Sequence, residues 1–310
     1  MRCIVTGSDG FIGSHLVEQL QRDGHRVRGL DSARGIDLAA DTVPVRYFRG
    51  IDWVFHLAGA SDIIPSIVRP ADYHRANVTA TVNVLEACRR AGIKKFIYAA
   101  SSTCYGKNPP IPTRETAPIA PQFPYALTKY IGELYALHYA HVYALPVISL
   151  RLFNVYGPRV RATADYGPVL STFMAQKLAG RPFTVVGDGG QKRDFTFVRD
   201  VVDAMIIAAG SCVSGEVFNV GTGNPQTVNR LVELLGGGRV VHIPKRPGEP
   251  DTTHADIAKI QQMLGWKPKV SFEEGIAQVL LHRNDWSRAR VFTPAMIKRA
   301  TRDWFCYLEP

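Results

Sequence analysis

The stretch from Cys3 to Gly24 limits what this chain can fold into more than any other. "CIVTG" is short, apolar and rich in β-branched residues, and it breaks at Gly7. "FIGSHLVEQLQRDG" then places apolar residues at helical spacing, at Phe11, Ile12, Leu16, Val17 and Leu20, and ends near Gly24. Strand, glycine turn and helix are predicted. Gly7, Gly10 and Gly13 lie in the turn with GxxGxxG spacing rather than the commoner GxGxxG. Glycines there let the backbone approach a pyrophosphate, whose charge is favoured at a helix N-terminus. Taken alone, the triplet reads equally well as plain turn chemistry.

The next segments add weight to the first reading. "HRVRGLD" is a second strand ending in Asp31. A carboxylate there can accept hydrogen bonds from both ribose hydroxyls of NAD and would repel the 2′-phosphate of NADP; a cap or turn role is the alternative for Asp31. "IDWVFHLAG" reads as a strand, "ADYHRANVTATVNVLEACRRAG" as a helix, "KKFIYAASS" as a strand, the segment from Tyr125 as a helix and "LPVISLRLF" as a strand. Strands alternating with helices imply an α/β fold, a doubly wound parallel sheet with ligands at the C-terminal strand ends.

Within "FPYALTKYIGE", Tyr125 and Lys129 lie about one helical turn apart, so a phenol and an ammonium share one face. Taken alone, the pair also reads as a solvated helix flank that carries both residues by chance. Ser101 and Ser102 stand at the exit of the preceding strand, so three polar groups can converge beside a bound nicotinamide.

Composition bounds the function. The chain has 310 residues, 46% hydrophobic and 21% charged, enough for one large core or two lobes. No apolar run reaches the length of a membrane helix and no signal peptide opens the chain, so a soluble cytoplasmic protein is expected. Five scattered cysteines without CxxC spacing argue against disulfides and zinc, and read as reduced thiols acting as small hydrophobes. A formal net charge of +10 favours anionic partners. The basic residues are dispersed rather than interleaved with aromatics, so a phosphorylated small molecule fits better than nucleic acid.

Taken together, "TGSDGFIGSHL", Asp31, "HLAG", "NVTATVNVLEA", "AASSTCYG", "YALTK", "LRLFNVYGPR", "GDGGQKRDFTFVRDVV", "FNVGTG" and "RPGEPDTTHADIAKIQQMLGW" resemble the extended short-chain dehydrogenase/reductase family, in its branch of NAD-dependent nucleotide-sugar epimerases, dehydratases and decarboxylases. The resemblance implies a Rossmann-like NAD-binding domain over residues 1–154, joined by returning segments at about 194–221, and a smaller C-terminal α/β substrate lobe from 155–193 and 222–310. It implies Tyr125 as catalytic base, Lys129 as its electrostatic partner and holder of the nicotinamide ribose, and Ser101, four residues before Tyr105, as the hydroxyl that binds the reacting sugar oxygen. A phenol near an ammonium and a positive nicotinamide should ionise closer to operating pH.

The same resemblance assigns cofactor contacts to Gly7, Gly10, Phe11, Ile12, Gly13 and Asp31, to Asp37 and Leu38 at the adenine, and to Leu57, Ala58 and Gly59. Asn77 is implied as a support, with a helix N-terminal role as its alternative. The interval from Asp31 to "FHLAG" is short for the family, so the usual helix there is expected to be a loop. On the substrate side it implies Ser102, Thr103, Asn154 at the diphosphate, Arg193 and Arg246 as phosphate-binding arginines, Glu249 at the nucleoside ribose, and Arg161 where uronate epimerases bind a carboxylate. Arg159 borders the sugar in relatives or is a surface arginine.

Ser102 and Thr103 stand where the family's lyases carry acids, and neither protonates a leaving hydroxyl at neutral pH. The expectation is therefore a UDP-sugar 4-epimerase acting on UDP-glucuronate, UDP-glucose or UDP-N-acetylglucosamine. A dehydratase, decarboxylase or reductase is the alternative, and a non-catalytic NAD-binding protein a further one. Asp194 and Asp200 read as structural, and His56 as a core histidine rather than a metal ligand. Relatives commonly form homodimers through helices holding Val82, Leu85 and Tyr135, which could equally be core positions. The tail from Asp285 reads as helix, break at Pro294, helix, with Trp286, Phe292, Trp304 and Phe305 as packing residues.

Overall fold

A computed structural model describes residues 1–40, 42–160 and 167–308. In chain order the strands are β1 (Arg2–Thr6), β2 (Arg26–Leu30), β3 (Trp53–His56), β4 (Lys95–Ser101), β5 (Val147–Leu152), β6 (Val155–Tyr156), β7 (Phe183–Val186), β8 (Lys192–Arg193), β9 (Thr196–Phe197), β10 (Glu216–Val220), β11 (Gln226–Thr227) and β12 (Val240–Ile243). The helices are α1 (Phe11–Arg22), α2 (Ile63–Val68), α3 (Pro70–His74), α4 (Ala80–Ala91), α5 (Pro124–Tyr143), α6 (Val169–Leu178), α7 (Val198–Gly210), α8 (Val228–Leu234), α9 (Ala258–Leu264), α10 (Phe272–Leu281), α11 (Pro294–Ala300) and α12 (Arg302–Leu308).

Six strands form one parallel sheet in the order β10-β5-β4-β3-β1-β2. Alternation along each strand sorts its side chains between two cores. Cys3 and Val5 join Leu16 and Leu20 of α1 and Val201 and Met205 of α7 on one face. Ile4 joins Val84 and Leu85 of α4 and Ala136 and Tyr139 of α5 on the other. Burying each such side chain contributes about 1.5–3 kcal/mol, which is why the strands read as nearly continuous apolar runs.

The segment between β2 and β3 contains only two short 3-10 turns, Ser32–Arg34 and Val45–Tyr47, among its described residues. The expected loss of a helix here is therefore observed. Phe48, 0% exposed, fills the position beneath the connection.

A third core holds Tyr156, Phe173, Phe183, Phe197, Leu231, Phe272 and Trp286. It lies beside the C-terminal ends of the sheet strands, because β5 runs through Phe153 and Asn154 directly into β6. Leu85 belongs to the main core, not to a surface, whereas Tyr135 is exposed along with Leu127, Leu134 and Val142 on α5. Cys3, Cys88 and Cys104 are buried, but Cys212 and Cys306 are exposed and serve no core. The tail departs from expectation: a 3-10 turn, Arg283–Trp286, precedes Pro294, and the helices α11 and α12 follow it. Among the described residues no helix is long and apolar enough to cross a membrane.

Candidate active site

The chain runs from β1 to β2 on one side and later adds β3 on the other, so a crevice opens where the two directions part. Gly7, with φ +68°, turns the chain there, and a Cβ on it would meet the Ala58 nitrogen at 2.8 Å. Gly13 is held closer still, since a Cβ would stand 2.0 Å from the Gly7 carbonyl oxygen. Both positions admit only glycine, and the turn after β1 is thereby pressed onto the start of α1. Gly10 caps α1 without a side-chain hydrogen bond, which leaves first-turn N–H groups to a ligand.

A cavity of about 1020 Å³ extends from this turn across the ends of β3, β4 and β5 to the third core. Its lining includes Gly7, Gly10, Phe11, Ile12, Gly13, Leu57 and Gly59 at one end. Ser101, Ser102, Thr103, Tyr125, Lys129 and Asn154 lie along its floor, and Arg193, Arg246 and Glu249 stand at the far side. Residues distant in sequence are therefore gathered in one space.

Asp31 follows β2 and fills the cap role. Its carboxylate caps the turn by accepting from Ala33 N–H at 2.9 Å, and it accepts from Asp9 N–H in the glycine turn at 2.9 Å. Asp37 and Leu38 are not brought to the cavity: Asp37 pairs with Arg75, and Leu38, 5% exposed, packs in the main core. The adenine contacts expected of their side chains are not supported by this placement. The trimmed connection after Asp31 draws the segment down onto the sheet. Ala58 also lies behind the lining, its N–H donating to the Thr6 hydroxyl at 3.1 Å.

Asn77 is 1% exposed and sits in a π-turn, Arg75–Thr79, between α3 and α4. It is not at a helix N-terminus. Its side chain accepts from Ala60 N–H at 2.8 Å and donates to Ala60 C=O at 3.0 Å and to the Thr128 hydroxyl at 3.0 Å. It thus ties the loop after β3 to α5.

Ser101 ends β4 and caps the 3-10 turn Ser102–Tyr105, accepting from Thr103 N–H at 3.3 Å and meeting the Thr103 hydroxyl at 2.9 Å. Pro124 opens α5, where its fixed φ suits the first turn. Tyr125 then follows at the cavity. Burial pushes the Tyr125 phenol above its ordinary value, and hydrogen bonding with Ser101 works the other way. The expected lowering is therefore not a property of the chain alone. Lys129, 7% exposed, stands 4.6 Å from the centre of the Tyr98 ring, and burial lowers its ammonium to about 8, opposed by the Glu133 charge. Among the described residues Lys129 forms no ion pair, so a ligand offering acceptors would satisfy it.

Beneath this floor is a network that sequence reading missed. Glu133 pairs with Arg151 at 2.6 Å and accepts from Ser149 at 2.8 Å; Arg151 donates to the Tyr105 hydroxyl at 2.9 Å, which donates to Asn219 at 2.7 Å. The chain of bonds joins α5, β5, β10 and the 3-10 turn Ser102–Tyr105 after β4. No sequence spacing links its members.

At the far side Arg193 and Arg246 share Glu249, at 3.8 and 3.2 Å. Two guanidiniums against one carboxylate leave a net positive end suited to a diphosphate. Asn154, at φ +22°, is exposed to the cavity and accepts from the Thr253 hydroxyl at 2.8 Å. Such a backbone position is strained for a residue other than glycine. Arg159 lines the cavity but its guanidinium is held by Glu18 of α1. Arg161 lies outside the described residues.

The remaining polar candidates are structural. His56 is 0% exposed between the hydroxyls of Thr6 and Thr81, at 2.8 and 2.9 Å, and burial lowers it to about 3. Asp194 accepts from the N–H groups of Thr222, Gly223 and Ala255, and Asp200 from those of Lys269 and Val270. No cluster of metal-ligating residues occurs among the described residues.

This geometry has close counterparts. The UDP-glucose 4-epimerase of Mycolicibacterium smegmatis is 36% identical over 307 residues, covering 90% of this chain and 97% of that protein. The crystal structure of the Thermotoga maritima UDP-glucose 4-epimerase with UDP-glucose matches with a TM-score of 0.86 and 34% identity, covering 92% of this chain and 99% of that one. That of the Thermus thermophilus enzyme in complex with NAD matches with a TM-score of 0.82 and 34% identity, over 92% and 99% of the two chains. Residues 3–221 match the model of a family described as NAD dependent epimerase/dehydratase, and it is to this family that the chain belongs.

Proposed function

We propose that the protein is an NAD-dependent isomerase that inverts C4 of a UDP-hexose. The observation that carries this reading is the convergence of Ser101, Tyr125 and Lys129 on one cavity whose far side holds Arg193, Arg246 and Glu249. The first lobe, residues 1–154 with 194–221, would hold the dinucleotide, and the second lobe the sugar nucleotide. The glycine turn and α1 N-terminus fit the pyrophosphate, Asp31 the adenosine ribose and Lys129 the nicotinamide ribose. NAD, when bound, supplies the hydride acceptor and donor for C4.

The chain's own residues do the rest. Tyr125 takes the proton of the C4 hydroxyl while Ser101 hydrogen-bonds the same oxygen. Because burial holds the phenol up, Tyr125 acts as a base only once positive charge gathers beside it, which Lys129 helps to provide. Arg193 and Arg246 grip the diphosphate while the 4-ketose turns, and Tyr125 then returns the proton. Ser102 and Thr103 offer no acid for a leaving hydroxyl, which disfavours dehydration. The exposed Leu127, Leu134, Tyr135 and Val142 on α5 suit a second copy of the chain, as a homodimer. A cytoplasmic location fits the NAD and sugar-nucleotide pools such an enzyme draws on.

Proton NMR of the purified protein with UDP-glucose, UDP-glucuronate and UDP-N-acetylglucosamine, without added cofactor, tests this. A new anomeric signal from a 4-epimer, absent with Tyr125→Phe, is the expected result. A dehydrated, decarboxylated or net reduced product would overturn it.

A further inference from the structure

The C-terminal helices lie beyond residue 221, where the family match ends. They nevertheless reach the cavity. Trp304 of α12 is 2% exposed and forms part of the lining. Its ring carries the Arg246 guanidinium at 5.5 Å from the centre, and it packs on Phe123 at 5.9 Å. Its indole N–H donates to the carbonyl of Pro247, next to Arg246, at 2.6 Å. Trp304 also belongs to a small core with Ile64 of α2, Phe292 and Ile297, which fixes the helix pair to the main body.

A long, flexible guanidinium costs entropy to immobilise, and an aromatic face that stacks it removes part of that cost before a ligand arrives. Trp304 holds Arg246 by its face and the neighbouring carbonyl by its edge. Phe123 stands two residues before Tyr125, so the same ring braces the start of the catalytic helix. We propose that Trp304 is a positioning residue: it orients Arg246 toward the diphosphate of the sugar nucleotide, making the C-terminal helix pair part of the substrate site. This rests on the nucleotide-sugar reading above.

The test is the affinity of the NAD-loaded protein for UDP, measured by calorimetry for the wild type, Trp304→Ala, Arg246→Ala and the double variant. Trp304→Ala is expected to weaken UDP about tenfold, with the loss in turnover falling on KM rather than kcat and with NAD retained. Trp304→Phe keeps a ring face and should recover most of that loss, which also guards against an alanine variant that fails to fold. In the Arg246→Ala background, removing Trp304 should cost little more. Independent, additive losses, or UDP binding unchanged in Trp304→Ala, would overturn the assignment. A wild type that binds no UDP would instead overturn the nucleotide-sugar reading on which the assignment rests.

Discussion

Lys129 and Tyr98 hold each other twice: the ammonium stands 4.6 Å from the centre of the Tyr98 ring, and the Tyr98 hydroxyl donates to the Lys129 carbonyl at 3.0 Å. The contact packs α5 against β4, and Gly132 permits it, because a Cβ there would meet the Tyr98 hydroxyl at 2.2 Å. It places a cation in the core with a ring face instead of a carboxylate. That arrangement serves a ligand better than it serves stability.

A stability cost follows from the same contact. Lys129 releases its proton near 8 in the folded chain and near 10.5 when unfolded. Between these values the unfolded state binds more protons, so stability rises with pH across that window and the full penalty stands below it. At about 1.4 kcal/mol per pH unit, the penalty is on the order of 3 kcal/mol. Compared without NAD, Lys129→Met should therefore be more stable than the wild type at pH 7, with the stability gap closing toward pH 10; with NAD loaded it should lose turnover. Urea denaturation at both pH values checks this; equal pH slopes for the two proteins would refute it.

Glu133 and Arg151 make the opposite case. Their side chains are 1% and 6% exposed, and removing one leaves the other charged and buried. Glu133→Gln should cost roughly 3–5 kcal/mol, read from the urea midpoint. Arg230→Ala, which breaks surface pairs with Glu233 and Glu273, should cost no more than about 1 kcal/mol. Similar losses for both would mean that burial does not set the energetics of these pairs.

The parts legible in sequence were those written in local periodicity. Glycine spacing, the alternating apolar runs and the Tyr125–Lys129 turn each depend on residues within a few positions of one another. Asp31 was legible as a carboxylate at a strand end. What Asp37 and Leu38 do was not, because a shortened connection re-aims side chains by packing rather than by pattern. Glu133 and Arg151 are joined only by the packing of α5 on β5, and Trp304 reaches Arg246 only through the docking of α12 on α2. An aromatic in a tail reads as packing from any sequence, and here packing is how it reaches the site.

His56 gives an acid-side prediction. Burial lowers the imidazole from 6.5 to about 3, so below pH 6.5 the unfolded chain takes up a proton that the fold refuses. Stability from this group is complete above pH 6.5 and is lost as pH falls toward 3. His56→Gln, which can still bond to Thr6 and Thr81, should flatten the acid limb by up to one proton. Parallel wild-type and variant curves of ΔG against pH between 6.5 and 4 would count against it.

Glycine-to-alanine changes at two sites should act with opposite signs. At Gly13 a Cβ would stand 2.0 Å from the Gly7 carbonyl oxygen and 2.9 Å from its carbon, so α1 must move off the turn that faces the cavity. Overpacking of this kind costs about 1–3 kcal/mol, and the displaced α1 N-terminus should retain less NAD. Gly210, the last residue of α7, has nothing within 4 Å of its Cβ position. Gly210→Ala should therefore stabilise by roughly 0.5–1 kcal/mol, by restricting the unfolded chain, and leave NAD in place. Thermal melts and the cofactor content of the purified variants separate the two effects. A Gly13→Ala protein that keeps its cofactor would mean that the close approach of α1 to the β1 turn is not what makes the dinucleotide site.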